Sequence, residues 1–254
     1  MKQEQIQSIN RAISLLECLV HEKRPLSLQE LANRTGLAKS TAHRILSTLR
    51  DKDWIEQQQT DGRYCLGLRL FEYGCAVSNT WSIAAITKPY MRNIARETGE
   101  SVCLSQMNKG EVIVLDFLES ASTFHVVSRT GLKLPAHCTG QGKVELAYLP
   151  PARVRRIIKE QGMQIYTPNT IDNLELLERE LATIREKGYA VDNSEFREGL
   201  CSVAAPIFDS CGNVNYSVAV VSIYGRIDSE KFLRAKEMVL SAAQDISRTL
   251  GYCS

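Results

Sequence analysis

The sequence predicts an α+β protein in which a helix joins two domains. Residues 27–53 have the pattern of two short helices separated by a tight turn. After residue 100, strand-like runs alternate with helical segments, as in an antiparallel sheet flanked by helices. We predict a first domain over 1–67, a linker helix over 68–80 and a second domain over 81–254.

A first helix is expected close to the N-terminus, because apolar residues recur there at helical spacing. We expect this stripe to pack against the two helices that follow. Its members are Ile6, Ile9, Ile13, Leu16 and Val20.

The next segment is typical of a helix-turn-helix. Ser27 stands where the N-cap of a helix belongs, and Gly36 occupies the turn, where positive φ is useful. The expected apolar face of the first of these helices comprises Leu28, Leu31 and Ala32. The expected buried stripe of the second comprises Ala38, Ala42, Ile45, Leu46 and Leu49.

Two short strands are predicted after the helices, at 54–56 and 63–66, with Asp61-Gly62 as the signal for a hairpin turn. Three helices and a hairpin make a winged helix-turn-helix. Arg63 directly follows the turn, so we expect its side chain to contact the DNA backbone beside a flanking groove.

Basic and hydroxyl side chains remain on the outer face of the second helix. Such groups at a helix N-terminus suit a surface that enters the major groove of DNA. The alternative, a small helical subdomain that packs on protein, gives no reason to expose these side chains together. The predicted DNA-binding residues are Ser27, Lys39, Ser40, Thr41, His43, Arg44, Ser47 and Arg63.

The excess of positive charge lies in the first 70 residues, which hold 11 Lys and Arg against 8 Asp and Glu. A single copy this weakly basic should bind double-stranded DNA poorly, so we expect a homodimer or a homotetramer. Leu68, Phe71 and Cys75 share one face of the linker helix and are the expected seam.

Eight cysteines are present and none forms a C-x-x-C pair. Buried, reduced thiols in a cytoplasmic protein are the favoured interpretation. No run approaches the length of a membrane span, and the N-terminus lacks the layout of a signal peptide, so we expect no membrane partner. The alternative hypothesis is a redox-sensing regulator whose thiol switch is Cys201 or Cys211.

The second domain is predicted to mix helices with an antiparallel sheet. The predicted helices are 81–98, a short one from about Gly142 to before Pro150, 153–161, 174–187 and one capped by Asp228 that runs to about 250. The predicted strands are 101–107, 112–118, 124–128, one ending at Asp192, 202–208 and 214–224.

Three segments of this domain could converge on one pocket. Gly140 and Gly142 open a helix whose free N–H groups could cradle a carboxylate, or they only permit a tight turn. Asp192 could bind a ligand hydroxyl or be a surface acid. Ser202 could donate to an anion or be a strand hydroxyl satisfied by the backbone.

Enzyme chemistry has little support. No phosphate loop, nucleophile elbow or zinc-deaminase signature is present, so we expect no enzyme and no cofactor. A degenerate enzyme remains an alternative. His125, His137 and Cys138 could bind a metal in principle, but their spacing does not favour it.

Nearly the whole chain resembles the IclR-type transcriptional regulators. The resemblance rests on LAKSTAHRIL, YCLGLRLFEYG, RTGLKLPAHCTGQGK and GYAVDNSEFREGLCSVAAPIFDSCGNV. It implies a GAF-like effector domain that binds a small molecule, usually an organic acid, and a dimer or tetramer on operator DNA. Members of the family repress or activate catabolic operons, and we expect a repressor here.

The resemblance also implies a set of effector-binding positions. No Arg or Lys occurs among them, which favours a ligand of one negative charge. Their few hydroxyls favour a ligand that is larger or less acidic than a two- or three-carbon oxoacid. The positions are Val126, Leu134, Gly140, Gln141, Asp192, Leu200, Ser202, Ala219 and Val221.

Overall fold

The structure is a computed structural model that describes residues 6–22, 24–80, 82–120, 128–223 and 229–253. The chain divides into two units, 1–82 and 83–254, and each is described by itself. No helix among the described residues is long and apolar enough to cross a membrane.

The first unit is the predicted winged helix-turn-helix followed by the linker helix. The two short strands pair antiparallel, with Ile55 opposite Leu66. The elements are α1 (Gln7–Glu22), α2 (Leu28–Thr35), α3 (Lys39–Arg50), β1 (Ile55–Gln57), β2 (Tyr64–Leu66) and α4 (Leu68–Thr80).

A side-chain cap fixes where α2 begins, and a glycine fixes where it ends. The Ser27 hydroxyl accepts a hydrogen bond from the Glu30 N–H at 3.3 Å, and the Glu30 carboxylate accepts one from the Ser27 N–H at 2.8 Å. This capping box satisfies two N–H groups that a helix start leaves free. Gly36 ends the helix with φ of 67°, which its lack of a side chain permits.

The prediction of which residues are buried in this unit is wrong for α1 and for Ala38. Leu15 and Leu19 are the buried residues of α1, and they join Leu31 and Leu46 in the core. The helix therefore has two apolar faces, and the spacing of the predicted stripe could not tell which one packs inward. The members of that stripe that prove exposed are Ile6, Ile9, Ile13 and Val20. Ala38 is exposed because it is the N-cap of α3 and precedes the buried turn.

The second unit has a six-stranded antiparallel sheet with helices on both faces. The described elements are α5 (Ser82–Thr98), β3 (Ser101–Asn108), β4 (Glu111–Leu118), β5 (Lys133–Pro135), α6 (Gly140–Ala147), α7 (Pro151–Gln161), α8 (Leu174–Lys187), β6 (Ala190–Asn193), β7 (Leu200–Phe208), β8 (Val214–Ile223) and α9 (Glu230–Thr249).

The strand order is β5-β4-β3-β8-β7-β6, which is two three-stranded meanders joined where β3 pairs with β8. The sequence did not predict β5. The predicted strand 124–128 falls, apart from its last residue, outside the described residues. Ser229 caps α9 through its hydroxyl, and the predicted cap, Asp228, lies outside the described residues.

Alternate residues of the strands enter different cores. Val102 and Leu104 of β3 pack with α5 and α9 on one face of the sheet, whereas Cys103 packs with α6, α7 and α8 on the other. This follows from the two-residue period of a strand. The face under α6 carries the small residues Ala204 and Ala219, which let the helix approach closely.

Candidate functional sites

The outer face of α3 carries the predicted basic and hydroxyl side chains. Lys39, Ser40, His43 and Arg44 are exposed, and Thr41 and Ser47 are partly buried. Among the described residues, no carboxylate pairs with Lys39 or Arg44, so both cations are available to phosphates or base edges.

Two other predicted DNA-binding residues have partners within the protein. The Ser27 hydroxyl belongs to the capping box of α2. The Arg63 guanidinium lies 3.0 Å from Asp61 and 3.5 Å from Glu30, and it donates to the Pro25 carbonyl at 3.4 Å. Arg63 therefore also ties the wing to the start of α2.

In the second unit the start of α6 is completely buried. Its N-cap, Thr139, accepts hydrogen bonds from the Gly142 N–H at 3.2 Å and, through its carbonyl, from the Lys143 N–H at 2.9 Å. The N–H groups of Gly140 and Gln141 precede the first intrahelical bonds, and nothing among the described residues accepts from them. The helix start therefore offers free donors at its partly positive end.

Ser202 lies directly against this helix start. A Cβ atom added to Gly140 would lie 2.7 Å from the Ser202 Oγ, so the two residues are in contact. Ser202 is only 2% exposed, and its Oγ has no hydrogen-bond partner among the described residues. A buried hydroxyl without a partner costs free energy, and a ligand acceptor would relieve that cost.

A cavity of about 470 Å³ opens beside Ser202, a volume within the range of small-molecule sites. It contains six of the predicted effector positions: Leu134, Gln141, Asp192, Leu200, Ser202 and Val221. Within the described part of the chain, the remaining lining residues are Cys103, Val114, Phe117, Ser128, Leu132, Lys133, Thr139, Phe196, Arg197, Glu198, Gly199 and Ile223.

Two predicted effector positions within the described residues do not line the cavity. Gly140 contacts Ser202, which does line the cavity, and Ala219 is buried in the core beneath α6. Val126 lies outside the described residues.

At one wall of the cavity, the Gln141 side-chain amide donates a hydrogen bond to the Cys103 sulfur at 2.9 Å. Burial raises the pKa of the Cys103 thiol to about 11, so the thiol is neutral at physiological pH. This wall is polar but uncharged.

A buried ion pair holds the loop at the mouth of the cavity. The Lys143 ammonium, 1% exposed, lies 2.5 Å from Glu195 and 3.5 Å from Glu180. The Glu195 N–H donates to the Asp192 carboxylate at 2.7 Å, and its carbonyl accepts from the Thr170 hydroxyl at 2.6 Å. These contacts fix the start of the 194–199 loop between β6 and β7.

Asp192 is an unusual acid within the cavity. Burial, opposed by the hydrogen bond from the Glu195 N–H, raises its pKa to about 7. A substantial fraction of this carboxyl is therefore protonated near neutral pH, and it can donate a hydrogen bond as well as accept one.

The structure gives little support to two alternatives from the sequence, the metal site and the thiol switch. The His137 ring bonds the Gln164 carbonyl at 3.0 Å, and no cluster of three metal-ligating residues occurs in the described part of the chain. Cys201 is the second residue of β7, and Cys211 lies in the turn beyond the far end of that strand, about 24 Å of strand away. A disulfide between them is excluded, because it needs Cα atoms within about 7 Å.

Sequence reasoning missed the residues on β3 and β4 and those on the 194–199 loop. Cys103 reaches the cavity because β3 pairs with β8, which places it opposite Ala219, and no local pattern shows that pairing. Arg197 and Phe196 lie within the motif EFREGL, so the motif signalled the loop but not which of its side chains would line a cavity.

Comparisons with known proteins agree with this architecture. The IclR helix-turn-helix domain matches residues 8–59, and the model described as bacterial transcriptional regulator IclR C-terminal matches residues 75–248. The HTH-type transcriptional regulator XynR of Escherichia coli K12 is 30% identical over 247 residues, which cover 97% of this chain and 98% of that protein.

Two further similarities extend over nearly the whole chain. The transcriptional repressor IclR of Escherichia coli K12 is 30% identical, covering 97% of this chain and 91% of the relative. The crystal structure of Thermotoga maritima IclR matches with a TM-score of 0.75 and 31% identity, covering 98% of this chain and all of that one. The chain belongs to the IclR family of transcriptional regulators, a family of DNA-binding proteins rather than enzymes.

Proposed function

We propose that this regulator represses a catabolic operon and that a small organic acid, bound in the cavity of the second unit, controls its affinity for operator DNA. The observation that carries this proposal is the unpartnered hydroxyl of Ser202 beside the free N–H groups of α6. The site of action would be the cytoplasm.

A carboxylate suits this end of the cavity. The Ser202 hydroxyl and the Gly140 and Gln141 N–H groups are donors without protein acceptors among the described residues. The α6 dipole adds partial positive charge at the same point. Val114, Leu134 and Val221 would contact the carbon skeleton of the acid.

The polar groups farther along the cavity would form hydrogen bonds with the rest of the ligand. The Gln141 amide lies beside Cys103, and the Asp192 carboxyl group can donate a hydrogen bond to a ligand hydroxyl or accept one from it. A sugar acid or a larger hydroxy acid would use these groups, whereas a two-carbon oxoacid would fill only part of 470 Å³.

Operator binding would use the outer face of α3. Lys39 and Arg44 are the unpaired cations of that face among the described residues, and Ser40 and Thr41 stand beside them. His43, Ser47 and Ser27 would add polar contacts to phosphates, and Arg63 would support the wing against the DNA backbone.

A second copy of the chain would complete the DNA-binding unit. The exposed apolar side chains of the first unit include Ile13 (46% exposed) on α1, and Leu68 (65%) and Phe71 (68%) on α4. Cys75 also lies in α4, but its side chain is not among those described. Apolar surface of this kind is normally covered, and two half-sites need two copies of α3.

Arg44→Ala should weaken specific operator binding by ~1–3 kcal/mol, the range for a contact to a base edge. Arg156→Ala removes the same charge from an exposed position on α7 and should leave affinity unchanged. Fluorescence anisotropy at one fixed salt concentration measures both. Wild-type affinity in Arg44→Ala would remove this residue from the interface.

Ser202→Ala should weaken binding of the effector by ~0.5–3 kcal/mol, because a donor to the carboxylate is lost. A thermal-shift screen against sugar acids, oxoacids and aromatic acids finds the ligand, and titration of operator release gives its affinity. Ser222→Ala is the matched control, since Ser222 is on β8 outside the cavity. An equal response in Ser202→Ala and Ser222→Ala would contradict this site.

The combined change Ile13→Glu and Phe71→Glu should convert a dimer into a monomer, because each adds charge to a face that we expect to be covered. Leu176→Glu, at a 48% exposed position of α8, is the control and should leave the dimer intact. Light scattering at micromolar concentration gives the mass. A monomeric wild-type protein that still binds its operator tightly would overturn the proposal.

A further inference from the structure

The cavity has a cation at its mouth that the effector positions implied by the resemblance did not include. Arg197 lines the cavity and is exposed to solvent, which places this residue at the opening. Among the described residues no carboxylate pairs with it. The central carbon of its guanidinium lies 5.4 Å from the centroid of the Phe196 ring.

The loop that carries Arg197 is held in place. The Leu200 N–H donates to the Arg197 carbonyl at 3.1 Å, and Gly199 takes φ of 73°, which closes a tight turn. The Phe196 ring packs edge-on against Tyr166 at 5.1 Å. Together with the buried Lys143–Glu195 pair, these contacts hold the loop that carries Arg197 in place before any ligand arrives.

The other charged groups of the lining are less suited to an anion. The Lys133 ammonium lies 2.7 Å from the Glu111 carboxylate and is 61% exposed, so its charge is already compensated. Glu198 is exposed and would repel an anion at the opening, while Asp192, deeper in the cavity, is partly protonated. Arg197 is therefore the cation best placed to pair with a ligand.

Donors therefore occur at two separate places in one cavity. Ser202 and the start of α6 form one, and Arg197 forms the other. A four-residue turn keeps the Cα atoms of Arg197 and Leu200 within about 7 Å. Ser202 lies two strand residues beyond Leu200, about 7 Å further. Apolar side chains line the space between the two places, among them Phe117, Leu132 and Leu134.

We infer that the effector is a dianion, an organic acid with two carboxylates, and that Arg197 selects the second carboxylate. This inference rests on the proposed function, which assigns the first carboxylate to Ser202 and α6. It changes the expectation from the sequence of a singly charged ligand, because that expectation counted only positions among which no Arg or Lys occurs.

Matched pairs of acids test the inference. Adipate and hexanoate share a six-carbon chain and differ in one carboxylate, and terephthalate and 4-methylbenzoate differ in the same way on a ring. The dissociation constant of each acid is measured by calorimetry for wild type, Arg197→Gln, Lys133→Gln and Ser202→Ala. Melting temperatures without ligand verify that each variant is folded.

The wild-type protein should prefer the diacid of at least one pair. Arg197→Gln should reduce that preference about 2- to 5-fold, the range for an ion pair at an exposed position. Lys133→Gln should keep the preference. Ser202→Ala should weaken both members of the pair by a similar factor, which tests the proposed function separately.

An unchanged preference in Arg197→Gln would overturn the inference, and so would a preference lost in Lys133→Gln instead. Failure of both diacids to bind wild type at about 10 mM would also overturn the dianion class. In each case a loss of monoacid binding in Ser202→Ala would leave the proposed function standing. If Ser202→Ala had no effect on any acid that binds, the proposed function would fail on its own.

Discussion

The close contact between the start of α6 and β7 is the constraint on which the second unit depends. Gly140 lies against the Ser202 hydroxyl and the Ala204 methyl group, and Gly142 lies against the backbone of Ala136. A side chain at Gly140 would collide with β7, and a side chain at Gly142 would collide with the backbone just after β5. Because the helix lies this close to the sheet, its free N–H groups lie beside the Ser202 hydroxyl. Together these donors form the polar end of a cavity.

Two charged residues of α6 then fix the helix against sliding or turning. Glu145 accepts hydrogen bonds from the Ser217 hydroxyl at 2.6 Å and from the Met107 N–H, and burial raises its pKa to about 7. Lys143 pairs with Glu195 at the start of the 194–199 loop. Burying such groups is costly, so their role is better understood as positioning than as a source of stability. They couple α6 to the central strands on one side and to the loop of Arg197 on the other.

Local signals in the sequence were enough for the first unit and for most elements of the second. The capping box at Ser27, the glycine at 36 and the hairpin turn at Asp61 act within a few residues, so they can be read directly from the chain. The cavity depends instead on the pairing of β3 with β8 and on the unpredicted β5, which bring together residues distant in sequence. The prediction of which face of α1 is buried was wrong for a related reason. Both faces of this helix are apolar, and only tertiary packing selects Leu15 and Leu19.

The contact of Gly140 with Ser202 is tested most directly by a double-mutant cycle on the free energy of unfolding. Gly140→Ala should be destabilising by ~1–3 kcal/mol, as expected of overpacking, although alanine is the better helix former. In the Ser202→Ala background the added methyl group no longer meets an oxygen at 2.7 Å, so much of that loss should be recovered. An equal loss in both backgrounds would contradict the account, because the helix start and the hydroxyl would then not form one site.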